Sequence, residues 1–220
     1  MTERDGYTRL GIWASMIGLF AALSYVGRYA VEDRVEDPLY LWSSAVGGAI
    51  QFGFVLTVVL ALTAGRSARE MLALRRPHSW GRAAGLLVVL LVGLIAASVA
   101  VAQFADPGEE QGLAPERWDA SRAAPFAANF VVVGLMAPVV EELTFRGLGF
   151  SLLARFGRWI AIAGVGVAFA LAHGLLVGLP LLFLFGAGLA YIRSETGSVY
   201  PGMVFHAVYN CGALVLAVAL

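Results

Sequence analysis

Long apolar runs occur along the whole chain and are separated by short polar connections. Most runs contain about 20 residues, enough for a helix to cross a hydrocarbon core of roughly 30 Å. Because a backbone in lipid must satisfy its hydrogen bonds within the segment, these runs are predicted to be helices. The predicted helices cover residues 10–31, 39–64, 81–104, 124–154, 158–174, 176–192 and 198–219.

This pattern predicts an all-α fold, a polytopic transmembrane helical bundle with about seven transmembrane helices, which forms a single integral membrane domain over residues 1–220. The composition agrees, because 60% of the residues are hydrophobic and only 14% are charged. The basic residues are all arginine, which indicates a GC-rich bacterial genome. We therefore expect a multi-pass protein of the bacterial cytoplasmic membrane, with membrane lipids as its neighbours.

The distribution of arginines predicts the orientation of the bundle. With an odd number of spans, eleven of the fifteen arginines lie on the side of the N-terminus and four lie on the other side. By the positive-inside tendency, the N-terminus is cytoplasmic. The formal net charge is zero, so no nucleic-acid partner is expected.

One charged cluster, "EELTFR" at residues 141–146, lies within the fourth predicted helix. A carboxylate at such depth costs several kcal/mol unless it faces protein or a water-filled cavity. Glu142 and Arg146 are four residues apart and share a face, so they are predicted to form an ion pair, which leaves Glu141 free. Pro138 is expected to kink the helix just before the pair. The alternative is a cluster at a helix end that reaches the interface.

Two histidines also lie within predicted helices. His173 ends "FALAH", four residues after Phe169, and His206 begins "HAVYN", four residues before Asn210. At a rise of about 1.5 Å per residue, Glu141, His173, His206 and Asn210 lie roughly 20, 22, 12 and 18 Å from the cytoplasmic helix ends. Four polar groups from three helices are therefore expected to converge on one internal site, although a lone histidine is often a packing residue.

These residue types permit amide hydrolysis. A carboxylate and an imidazole can share a water and take its proton, while a second histidine and an asparagine amide can donate hydrogen bonds to a developing oxyanion. Zinc remains open as a cofactor, because Glu141, His173 and His206 could also ligate a metal. The HExxH spacing typical of many zinc hydrolases is absent.

The motifs "EELTFR", "FALAH" and "HAVYN" occur in the order EExxxR, FxxxH and HxxxN. In this the chain resembles the CAAX prenyl protease and bacteriocin-processing (CPBP) intramembrane proteases, also called the type II CAAX endopeptidase or Abi family. The resemblance covers about residues 125–213, which would form the catalytic core. It implies that Glu141 and His173 activate the water and that His206 and Asn210 stabilise the oxyanion. The supporting residues that it implies are Glu142, Arg146 and Phe169.

The sequence thus predicts an intramembrane endopeptidase that hydrolyses a peptide bond near the membrane surface, in a cavity open toward the cytoplasm. The expected partner is a peptide or protein substrate, with its lipidation left open. Two alternatives remain. Intramembrane Glu, His and Arg also form the relays of proton-coupled transporters, and a catalytically idle family member could act as an immunity or scaffold protein.

Overall fold

The fold is built from helices joined by short connections. The computed structural model describes residues 3–30, 35–105, 110, 115 and 118–219. The all-α class is confirmed, while Arg34 and Arg117, which entered the orientation count, lie outside the described residues. Besides short 3-10 turns, the described chain forms α1 (Glu3–Tyr29), α2 (Trp42–Thr63), α3 (Ala68–Met71), α4 (Trp80–Val101), α5 (Ala120–Phe156), α6 (Arg158–Ala172), α7 (Leu179–Thr196) and α8 (Tyr200–Ala219).

The seven predicted helices are all present, but seven membrane crossings are not confirmed. In the part of the chain that the structure describes, five helices (α1, α2, α4, α5 and α8) are long and apolar enough to cross a membrane. Helix α6 has 15 residues and rises only about 22 Å, which is shorter than a hydrocarbon core of about 30 Å. Helix α7 has 18 residues and carries Arg193 in its last turn.

The bounds of two helices differ most from those predicted. Helix α1 begins at Glu3 and not at residue 10, because a helix can continue through a polar segment that hydropathy excludes. Helix α7 covers Leu179–Thr196 and not 176–192. Its second residue is Pro180, whose fixed φ suits the first turn of a helix. It ends at Gly197, which adopts a left-handed φ of 71° that favours glycine.

Helix α5 lies at the centre of the bundle, and its residues 142–150 are all buried. The indole of Trp13 on α1 donates a hydrogen bond of 3.0 Å to the carbonyl of Thr144, and its ring packs edge-on against Phe145. Helices α2, α6, α7 and α8 also contact α5. The charged segment in the middle of α5 is therefore enclosed by protein, which excludes the predicted alternative of a cluster at an interfacial helix end.

Helices α6 and α7 pack closely because small residues face each other. A Cβ on Gly186 would approach the Cα of Gly166 at 3.1 Å, and a Cβ on Gly166 would approach the Cβ of Ala187 at 2.9 Å. Small residues at such a contact let two membrane helices approach closely. The approach brings the rings of Phe169 and Phe185 into a stack, with their centroids 5.7 Å apart.

Acidic side chains fasten the two ends of this helix pair. Glu195 at the end of α7 forms ion pairs with Arg82 of α4 and Arg158 of α6. At the opposite end, the carboxylate of Glu110 accepts hydrogen bonds from the backbone N–H groups of Leu176 and Gly178, at 2.6 and 2.9 Å. The turn between α6 and α7 is held in this way.

Candidate active site

The predicted ion pair is present at the centre of α5. Arg146 Nη1 lies 2.7 Å from Glu142 Oε1, and both side chains have an exposed fraction of 0%. Arg146 also donates to the carbonyl of Gly186 at 3.2 Å, and its guanidinium lies 4.4 Å from the ring centroid of Phe169. Because a buried charge is costly without compensation, these contacts fix Glu142 and Arg146 as one structural unit.

Glu142 also positions His206. The imidazole Nδ1 of His206 lies 3.1 Å from Glu142 Oε1, and the ring packs edge-on against Phe185, 4.8 Å between centroids. Gly202, one turn before His206 on α8, makes this approach possible. A Cβ at Gly202 would lie only 2.5 Å from Glu142 Oε2, so a side chain there would displace the carboxylate.

Glu141 has a different environment from Glu142. Its side chain has an exposed fraction of 20%, and its Oε2 lies 3.8 Å from His206 Nε2. That distance is too long for a hydrogen bond, and Glu141 Oε2 has no hydrogen-bond partner among the described residues. Glu142 Oε2 also lacks a partner in the described chain, but Glu142 has no exposed surface. Glu141 is therefore the carboxylate with exposed surface, as its helical position predicted.

His173 has a defined tautomer. Its Nδ1 lies 2.7 Å from the carbonyl oxygen of Phe169, and because a carbonyl only accepts, Nδ1 carries the hydrogen. The ring also packs against Phe169 at 4.4 Å between centroids. In the neutral imidazole, Nε2 therefore keeps the lone pair that can accept a proton.

Two π-helical segments, Val132–Met136 and Leu143–Gly149, flank the carboxylates in α5. In the first, Ala137 donates to Val132 five residues earlier. The next donor in this ladder would be Pro138, which has no N–H, so the carbonyl of Val133 loses its helical partner. The side-chain amide of Asn210 donates to that carbonyl at 3.0 Å. The carbonyl that Pro138 leaves without a helical partner thus forms a hydrogen bond between α5 and α8.

The free polar groups face one cavity of about 540 Å³. Glu141, His173, His206 and Asn210 all line it, so the predicted convergence of three helices is present in the structure. Phe169 lines the cavity as well, whereas Glu142 and Arg146 lie behind the wall. The structure thus separates the predicted residues into a group with access to the cavity and a supporting group.

Three contacts of the site were missed by sequence reasoning. Phe185 packs on His206, Gly202 makes room for Glu142, and Phe52 of α2 lines the cavity. Phe185 and Phe52 stand in apolar helices, where nothing distinguishes them from packing residues. Gly202 lies four residues before His206, and this spacing on a helix was the available signal.

Among the described residues, no set of three or more His, Cys, Asp or Glu side chains is arranged to hold a metal ion. The prediction that Glu141, His173 and His206 could bind zinc stays untested.

The cavity extends toward one end of the bundle. Ala102 and Gly178 line it, and Gly178 lies at the end fastened by Glu110. The arginine count predicts that this end faces away from the cytoplasm. A cytoplasmic N-terminus and a cavity open toward the cytoplasm, both expected from the sequence, therefore conflict.

A comparison with known protein families supports the motif order. Residues 123–212 match the family described as type II CAAX prenyl endopeptidase Rce1-like. This part of the chain, 90 of its 220 residues, is similar to the Rce1-like family that the motif order predicted. Comparisons with curated proteins and with solved structures gave no match.

The Rce1-like segment runs from α5 into α8 and contains every residue of the candidate site that the sequence predicted. The match implies a protease, with a peptide or protein as its substrate. With its apolar helices, it also makes the chain a multi-pass membrane protein. Helices α1 to α4 lie outside the match, although α2 and α4 supply Phe52 and Leu94 to the cavity.

Proposed function

We propose that this chain is an intramembrane endopeptidase in which Glu141 and His173 activate a water for attack on a peptide bond. The position of Glu141 is the observation that carries the proposal. Its side chain lines the cavity and is 20% exposed, while the neighbouring Glu142 is fully buried against Arg146 and His206. A general base needs such access to its proton donor.

The proposed reaction needs no covalent intermediate with the protein. The water oxygen bonds to the peptide carbonyl carbon, and one water proton passes to Glu141 or to Nε2 of His173. When the tetrahedral intermediate collapses, the C–N bond breaks and that proton passes to the leaving nitrogen. The hydrogen bond from His173 Nδ1 to Phe169 supports this step, because it holds the ring with Nε2 available.

His206 and Asn210 are the proposed oxyanion donors. The Asn210 amide uses one hydrogen on Val133 and keeps a second. Donation by Nε2 of His206 requires both ring nitrogens to be protonated, since Nδ1 faces the Glu142 carboxylate. With that imidazolium and the Arg146 guanidinium opposite two carboxylates, the four side chains together carry no net charge. Each such donor is typically worth about 3 to 4 kcal/mol in the transition state.

The proposed substrate is a CAAX-type or related membrane-associated peptide. The cavity volume of about 540 Å³ lies within the usual range of roughly 300–1,000 Å³ for ligand sites. Leu94, Leu181 and Leu182 on its wall suit the apolar part of a lipidated peptide.

The bacterial cytoplasmic membrane is the proposed location. The transporter alternative depended on the same polar residues, and the family match favours hydrolysis.

The test compares the peptides in membranes of cells that express the wild type or Glu141→Ala, by mass spectrometry. Fragments that depend on Glu141 are expected only with the wild type, and their ends identify the cleaved bond. Val139→Ala is the control, because Val139 lies on the same helix and 42% of it is exposed. Identical peptide sets from wild type and Glu141→Ala, at equal protein levels, would overturn the proposal and favour an idle family member.

A further inference from the structure

A second, smaller cavity lies on the other side of the candidate catalytic residues. It has a volume of about 120 Å³ and lies between α1, α2, α5 and the end of α6. Glu141, His173 and Phe52 line both this cavity and the larger one. The two cavities therefore adjoin at the proposed base, so a peptide bond placed there has space on both sides.

The size of the second cavity suits one side chain. Its volume of about 120 Å³ is well below the roughly 300–1,000 Å³ of a whole ligand site. Away from the shared wall, its lining is mainly apolar and includes Met16, Ile17, Phe20 and Val55. Thr144 also lines it, but its hydroxyl already donates to the carbonyl of Val140 at 2.7 Å. Such a lining favours an apolar side chain over a polar one.

Gln51 lines this cavity from α2. It is exposed and lies near the middle of a highly apolar membrane-spanning helix. Its amide has no hydrogen-bond partner among the described residues. An uncovered polar side chain at membrane depth is costly and is commonly functional.

An amide is the group that an extended peptide in this position needs. A peptide in extended form cannot satisfy its own N–H and C=O groups in lipid, and each unsatisfied group costs several kcal/mol. The Gln51 side chain offers both a donor and an acceptor. It can therefore pair with a backbone group of a peptide whose side chain enters the second cavity.

We infer that the second cavity is a substrate subsite, which takes one apolar side chain next to the cleaved bond, and that Gln51 binds the substrate backbone beside it. The inference rests on the proposed endopeptidase function. It makes Val55 a specificity-determining residue and Gln51 a substrate-binding residue.

Changing the volume of the subsite tests the specificity. Val55→Phe places a larger side chain in the second cavity, and Val55→Ala enlarges the cavity. In the mass-spectrometric comparison of membrane peptides, Val55→Phe is expected to shift one position next to the cleaved bond toward Gly and Ala, and Val55→Ala toward Phe and Trp. Val46→Phe, the same substitution at a residue of α2 that is 55% exposed, is expected to leave that position unchanged.

Removing the amide tests the backbone contact. Gln51→Leu is expected to lower fragment yield about tenfold, as the loss of one hydrogen bond in an apolar site would, without lowering the melting temperature. Gln51→Asn keeps an amide and is expected to restore most of the yield, while Ile50→Ala on the lipid-facing side should change nothing.

The outcomes separate the two proposals. Fragments that depend on Glu141 but show the same cleavage sites in both Val55 variants, or the same yield in Gln51→Leu, overturn the subsite and leave the endopeptidase standing. If a lipid chain occupies the second cavity, this is the result to expect. The absence of any fragment that depends on Glu141 overturns the endopeptidase, and the subsite with it.

Discussion

Glu141 and Glu142 are chemically identical neighbours whose surroundings assign them different tasks. Glu142 contacts Arg146 and His206 and has no exposed surface. Glu141 faces two cavities. Disrupting the ion pair of Glu142 is therefore expected to lower stability, whereas neutralising Glu141 is expected to lower activity.

Breaking the buried pair should destabilise the protein strongly. Arg146→Met leaves the Glu142 carboxylate buried without its cation, and removing one partner of a buried pair typically costs about 3 to 5 kcal/mol. Unfolding free energies in detergent micelles measure this effect. Glu141→Gln is the matched comparison and should change stability by less than about 1 kcal/mol. Equal losses in both variants would contradict the separation of roles.

Gly202 should not tolerate even one methyl group. In Gly202→Ala the new Cβ would lie 2.5 Å from Glu142 Oε2, and overpacking of this kind typically costs about 1 to 3 kcal/mol. The loss is measured as a fall in the unfolding free energy. Gly212→Ala on the same helix is the control, because a Cβ at Gly212 would have no atom within 4 Å beyond its own stretch of helix. A Gly202→Ala variant as stable as Gly212→Ala would show that the carboxylate moves freely.

At this scale the sequence predicted the contact within one helix and the shared depth of the polar groups, but it did not predict which side chains of different helices touch. The Glu142–Arg146 pair follows from a spacing of four residues, which any helix converts into proximity. The contact between His206 and Glu142 joins residues 64 positions apart and depends on how α8 packs on α5. No spacing in the sequence contains that information.

Helix α5 differs most from a regular α-helix, because it contains two π-helical segments. Hydropathy predicted its extent, residues 124–154 against the observed Ala120–Phe156, because its apolar length is visible in the sequence. The two π-helical segments were not predicted, since an extra residue in a helical turn leaves no hydropathy signal. The expected disturbance of the helix at Pro138 was closer to the structure, because a missing N–H follows directly from the residue type.

The proline break and Asn210 should be energetically coupled. Asn210→Ala leaves the Val133 carbonyl without its side-chain donor, at a cost of about 1 to 2 kcal/mol. In a Pro138→Ala background, the backbone N–H at position 138 can donate to that carbonyl, and the cost of Asn210→Ala should fall by at least about 0.5 kcal/mol. A double-mutant cycle of unfolding free energies measures the coupling. Strict additivity would show that Asn210 does not compensate for the proline.

For the whole molecule, the orientation in the membrane decides the side to which the larger cavity extends. The arginine count places the end that carries Glu110 outside the cytoplasm. The wall formed by Ala102 and Gly178 lies toward that end. Because the positive-inside tendency reflects many residues together, we expect the arginine count to hold and the cavity to face away from the cytoplasm.

Labelling of single cysteines tests this orientation. In a Cys211→Ala background, Gln103→Cys lies next to Ala102, and Glu70→Cys lies in the arginine-rich connection after α2. A thiol reagent that cannot cross membranes should label Gln103→Cys in intact cells and Glu70→Cys only after permeabilisation. Neither change alters the arginine count. The reverse pattern would mean that the N-terminus is outside and that the cavity faces the cytoplasm.

The central claim is that Glu141 activates the attacking water, and its most direct test is the rate of cleavage by Glu141→Gln. Glutamine keeps the size of the side chain and removes the base. The measurement is the initial rate at which purified protein in liposomes cleaves the peptide identified in the membrane comparison, at equal amounts of folded protein. The account predicts a fall of about 10²- to 10⁴-fold. A folded Glu141→Gln variant that cleaves at the wild-type rate would contradict it.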